Sequence, residues 1–170
     1  MKITGGILIS FCLFTFISCT SVSNKSDDIA TTVKFDRKTF SEQRQLWRDS
    51  NVRNYQYQLS AIGAFPYFGT VYVQDGNYKS DTPLERYFDI TNFLDYSTID
   101  KIYETIEKMF DSHNNKEQSE RTVYMTEISV EYDEINHIPL SIKYHYHIPP
   151  NVAFDGTSNY RIADFLKSEG

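Results

Sequence analysis

Two of the four histidines in this chain stand two residues apart, in Tyr144-His145-Tyr146-His147. Imidazoles at that spacing can hold a transition metal if a β-strand turns both rings to one side and a carboxylate joins them. Alternation decides which side they take. Leu140, Ile142, Tyr144, Tyr146 and Ile148 form one apolar set, and Ser141, Lys143, His145 and His147 the other. A strand with one buried face turns the apolar set inward. Both imidazoles then point to solvent, roughly 6.6 Å apart along the strand. The preceding segment, about residues 122–133, alternates as well, with Tyr124, Ile128, Val130 and Tyr132 inward and Glu127, Ser129 and Glu131 outward. If the two segments pair with matched faces, Glu127 falls opposite or diagonal to His145 and His147. The chemistry on offer is a site of two imidazoles and a carboxylate. Against it stand the flat solvent face, which encloses nothing, and the adjacent positive charge of Lys143. The expectation is therefore a protein without metal or other cofactor. A metal-dependent protein or hydrolase using His145, His147 and Glu127 is the alternative.

Other catalytic patterns are missing. The sequence has no G-x-S-x-G elbow, no H-E-x-x-H pair and no phosphate-binding glycine loop. Glu127, Glu131 and Asp133 follow one another on one strand face and read as a solvated surface. Asp133 and Asp164 are expected to cap local N–H groups at strand ends. His113 falls in a polar loop. The expected role is a non-catalytic binding or accessory one. Its candidate contact is the apolar loop Phe65-Pro66-Tyr67-Phe68, because exposed apolar patches tend to mark interaction sites.

The N-terminus carries a different chemistry. Lys2 precedes a run from Ile3 to Ile17 that is mostly apolar. This run is short for a membrane span, which takes about 20 residues, and fits a signal peptide. Phe16-Ile17-Ser18-Cys19 resembles the lipobox of bacterial lipoproteins. That resemblance implies cleavage after Ser18 and acylation of Cys19, with the protein exported and held at the cell or outer membrane by its lipid. Cys12 is the only other cysteine and lies in the segment to be removed, so no disulfide and no cysteine-built zinc site is expected in the mature chain. Residues 19–37 are polar and aperiodic, and read as a tether.

What remains, residues 38–170, is enough for one domain with a core. A net charge of −6 argues against nucleic acid as a partner and leaves an unknown protein or small ligand. Thirteen Tyr and twelve Phe suit pleated faces. Thr39-Phe40-Ser41-Glu42 has capping-box spacing and opens a short helix to about Asp49. Tyr55, Tyr57 and Leu59 alternate with Gln56, Gln58 and Ser60 in a strand, and a second strand closes at Asp75-Gly76. Ser97-Thr98-Ile99-Asp100 opens a long helix whose stripe is Ile99, Ile102, Tyr103, Ile106, Met109 and Phe110. Strands near 122–133, 140–148 and 158–165 finish the chain. The order α-β-β-α-β-β-β predicts an α+β fold, an antiparallel sheet of about five strands covered on one face by one long and one short helix.

These pieces share a pattern. Trp47, Tyr55-x-Tyr57, Val71-x-Val73-x-x-Gly76, Thr98-Ile99-Asp100, Val130-x-Tyr132-Asp133 with Pro139 six residues on, and Tyr160-x-Ile162-x-Asp164-Phe165 recur in order. Over about residues 46–165 the chain resembles the bacterial lipoprotein-associated family catalogued as domain of unknown function 6174. The resemblance implies a small exported domain and supplies no activity. The chain departs from the family at His137-Ile138, where a glycine and a tyrosine are usual before the proline.

Overall fold

The computed structural model of the chain describes residues 32–62, 66–84, 93–114, 123–153 and 156–168. Helix α1 is Arg37–Asp49, followed by strands β1 (Tyr55–Ile62), β2 (Tyr67–Gln74) and β3 (Asn77–Ser80). A 3-10 turn, Phe93–Tyr96, leads into helix α2 (Ile99–His113). Strands β4 (Tyr124–Tyr132), β5 (Pro139–His147) and β6 (Thr157–Lys167) complete the order. The six strands form one antiparallel sheet in the order β3-β2-β1-β6-β5-β4.

The fold class is the expected one, with six strands rather than five. The additional strand is β3. Asp75 and Gly76 both have positive φ, 48° and 78°, the conformation of a two-residue hairpin turn that sends the chain straight back along β2. Asn77–Ser80 then pairs with Val71–Gln74. Four mostly polar residues are too few for alternation to reveal a strand.

Both helices pack on the side of the sheet that holds Tyr55, Tyr57 and Leu59, all buried. The Trp47 indole meets the Tyr55 ring edge-on at 5.5 Å, and Phe40 of α1 meets Tyr103 of α2 at 5.6 Å. Ile99, Ile102 and Ile106 of α2 are fully enclosed, as the stripe predicted. Two tyrosines bolt this layer to the sheet. The Tyr55 hydroxyl accepts the Ile99 N–H at 3.0 Å, and the Tyr57 hydroxyl donates to the Tyr96 carbonyl at 2.5 Å.

Helix α1 begins earlier than the capping box implied. Asp36 is its N-cap, accepting the Thr39 N–H at 3.0 Å and the Thr39 hydroxyl at 2.8 Å. Thr39 is thus the residue capped, not the cap. In α2 the cap is Thr98, whose hydroxyl accepts the Lys101 N–H.

Val33 to Asp36, expected at the end of the tether, belong to the domain. Val33 is buried and donates its N–H to the Asn114 side chain. Lys34 forms a parallel bridge with the β4 edge, donating to the Thr126 carbonyl and accepting from Ile128, both at 2.9 Å. Phe35 packs 5.2 Å from both Phe40 and Phe110.

Candidate functional site

Strand β5 carries its side chains as the alternation predicted. Ile142 and Tyr144 are in the core, His145 is half-buried on the opposite face and His147 is exposed. Across the ladder Glu127 pairs directly with His145, and Tyr124 pairs with His147. A β-bulge lies between Met125 and Glu127. The bulge corrects one inward assignment. It adds a residue to β4, so Met125 turns into the core at 1% exposure while Tyr124 joins the histidine face. Tyr124 and His147 stack there, rings 4.8 Å apart and 20° from parallel.

Glu127 is already engaged. Its Oε1 takes the Lys34 ammonium at 3.2 Å and the Ser129 hydroxyl at 3.1 Å. Those hydrogen bonds, Lys34 first, hold its carboxyl below the usual range, with a smaller pull from His145. Glu131 likewise faces Lys143 at 3.6 Å. Among the described residues no three of His, Cys, Asp and Glu gather as a metal site requires. The fold brings His145 to Glu127 and parts His147 from it. His113 ends α2 with Nδ1 2.9 Å from the Met109 carbonyl, and His137 lies in the β4–β5 turn, 3.1 Å from Gln43 Oε1. Cys19 and Phe65 lie outside the described residues.

Of the aromatic stretch, Pro66 is exposed and precedes β2, whereas Tyr67 and Phe68 open the strand itself. Alternation splits them. Tyr67 is buried, its hydroxyl donating to the Thr82 carbonyl at 2.9 Å, and burial pushes that phenol's pKa up. Phe68 points the other way and is 65% exposed.

Phe68 has company that sequence reasoning missed. The side of the sheet opposite the helices shows Ile62, Tyr72 and Leu166 to solvent as well. For β2 the signal was present: Phe68, Thr70, Tyr72 and Gln74 alternate with the buried Tyr67, Val71 and Val73. At the end of β1–β3 an open cavity of about 560 Å³ is bordered by Gln56, Tyr72, Gln74, Asn77 and Lys79. This surface offers apolar area, amides, the Lys79 ammonium and the Asp75 carboxylate.

Together these features define an α+β domain with one sheet face covered by helices and the other open among the described residues. The profile of the family of unknown function catalogued as domain of unknown function 6174 matches residues 39–149, about two thirds of the chain. The chain belongs to that family. No curated protein and no solved structure matches it.

Proposed function

We propose that this chain is a bacterial envelope lipoprotein whose single domain is a non-catalytic binding or accessory module. The observation that carries the reading is Phe16-Ile17-Ser18-Cys19 placed directly after an apolar run with a basic start. Residues 1–18 serve as the signal, and Cys19 becomes the acylated N-terminus. Stable anchoring takes more than one acyl chain, which a diacylglyceryl group on the thiol provides. The polar residues from Thr20 to Thr31 then stand between the acylated cysteine and the domain. Among the described residues no helix is long and apolar enough to cross a membrane, so attachment through lipid requires nothing further of the fold. The open sheet face, with Phe68 and Tyr72 exposed, supports binding of a protein or small ligand.

Labelling cells with a palmitate analogue tests the anchor. The full chain should incorporate the label and sediment with membranes, and Cys19→Ser should lose both. A Cys19→Ser chain that still labels and still partitions overturns the reading.

A further inference from the structure

The chain comes into its domain at one end of the sheet. Lys34 bridges to Glu127 in parallel with β4, near the start of that strand. Val33, just before it, donates its N–H to the side chain of Asn114, which caps the C-terminal end of α2. Register carries this level across the sheet. Glu127 pairs with His145, and His145 with Thr157. Two residues further in, Ser129, Lys143, Asn159 and Ile62 form a row from β4 to β1. The entry end of the domain is therefore also the end where β1 turns into β2 and β5 into β6.

That end shows large apolar side chains to solvent. Ile62, the last residue of β1, is 61% exposed, Phe68 near the start of β2 is 65% exposed, and Val152 in the β5–β6 connection is 41% exposed. Exposed Pro66 and Pro150 stand beside them in sequence. Because β6 pairs with β1, the β5–β6 connection neighbours the β1–β2 hairpin. The other exposed apolar residues lie elsewhere. Tyr72 and Leu166 share a row with Gln56 toward the far end, Ile135 is in the β4–β5 turn at the far end, and Leu46 is on α1.

Charge divides along the same axis. Asp133 and Glu134 follow β4, Asp75 turns β2 into β3, and Asp100 stands in the first turn of α2, all at the far end. In the entry half, Lys34 bonds Glu127 at 3.2 Å, the Thr70 N–H bonds Asp81 at 2.8 Å, and Asp111 stands at the end of α2. Cations flank the apolar tip, Arg161 in the row of Phe68 and Lys143 in the row of Ile62. Apolar side chains beside cations, with the acids turned away, match a layer of phosphate headgroups over acyl chains. The chain length agrees. The thirteen peptide links from Cys19 to Thr32 span at most about 45 Å along any path, so a lipid on Cys19 keeps the entry end near the bilayer. We propose that this end of the domain rests on the bilayer, with Ile62, Phe68 and Val152 entering its headgroup region, a placement that rests on the lipoprotein reading of Cys19.

Two single-cysteine variants of the full, lipid-bearing chain test this, since acylation occupies the Cys19 thiol and Cys12 leaves with the signal. Ile62→Cys and Ile135→Cys are each labelled with an environment-sensitive fluorophore. Each is then reconstituted into vesicles of phosphatidylethanolamine and phosphatidylglycerol whose acyl chains carry doxyl quenchers. The label at 62 should shift to the blue and be quenched several-fold more than the label at 135. Phe68→Asp combined with Val152→Asp should bring the label at 62 down to the level of 135. Far-ultraviolet circular dichroism and flotation with the vesicles should stay unchanged. A chain that incorporates the palmitate analogue and floats, yet shows equal quenching at 62 and 135, overturns the docking and leaves the anchor standing. That is the result expected if a protein covers the tip instead. Quenching at 62 that survives the double aspartate variant overturns the docking as well. A chain that neither incorporates the analogue nor floats overturns both readings.

Discussion

The Tyr55 hydroxyl shows how much one polar atom can decide in this core. It accepts the N–H of Ile99, the first residue of α2, in a fully buried position. The first N–H groups of a helix have no partner within it, and leaving one buried and unpaired is costly. Tyr55→Phe keeps the ring against Trp47 and removes only the acceptor. It should lower stability by about 1–3 kcal/mol in urea unfolding. A loss of a few tenths would mean that water reaches the Ile99 amide. The histidine strand teaches a related lesson about what single residues reveal. Its inward and outward sides were legible from Ile142 and Tyr144 alone, and so was the Glu127–His145 neighbourhood. Two things were not. Lys34, which occupies Glu127, comes from 93 residues away, beyond any local pattern. The bulge that hands His147 to Tyr124 leaves no trace in side-chain type. His137 is the opposite case. The family resemblance marked a glycine as usual there, and the residue has φ 58°, a left-handed conformation that glycine adopts without steric cost.

At the scale of elements, the strap of Val33–Phe35 explains why the sheet can end on β4. An edge strand offers unpaired N–H and C=O groups to any passing strand. Lys34 occupies that edge at Thr126 and Ile128, while Phe35 anchors the strap between Phe40 and Phe110. Arg37, one turn on, lies 4.9 Å over the Phe110 ring and seals the contact. Phe35→Ala removes this anchor. A fully buried Phe→Ala change costs about 3–5 kcal/mol, and Phe35 is only partly buried, so about 2 kcal/mol is expected. Hydrogen exchange should locate the effect, with protection lost first at Lys34 and Ile128. Uniform loss across the sheet would mean that the strap folds as one unit with the core. The strap was invisible in the sequence because three residues carry no period and the polar stretch before them set the reading. The long helix and strands β1, β2 and β5 were legible because each repeats its apolar position several times. Strand β3 was hidden by its length of four.

For the whole molecule, the abundance of tyrosine sets the alkaline limit of the fold. Burial, the largest cause in each case, pushes Tyr55 and Tyr146 up to about 12 from an ordinary 10.0. Tyr57 and Tyr96 are driven further, and Tyr103, Tyr132 and Tyr144 are raised as well. In the unfolded chain these phenols ionise near their ordinary value. From pH 10 upward the unfolded chain therefore binds fewer protons than the folded one, and stability falls as pH rises. Below that point the contribution of the buried phenols is complete, and it drains away until their folded pKa values are passed. Each fully buried tyrosine adds a slope of about 1.4 kcal/mol per pH unit. Several titrating together exhaust a typical domain stability of about 5–15 kcal/mol within the interval. The chain should thus unfold in one cooperative step between about pH 10 and pH 12, the tyrosinate absorbance and the loss of far-ultraviolet circular dichroism coinciding. If absorbance instead rises gradually while the dichroism persists, the buried phenols are ionising in place and water has a way into this core.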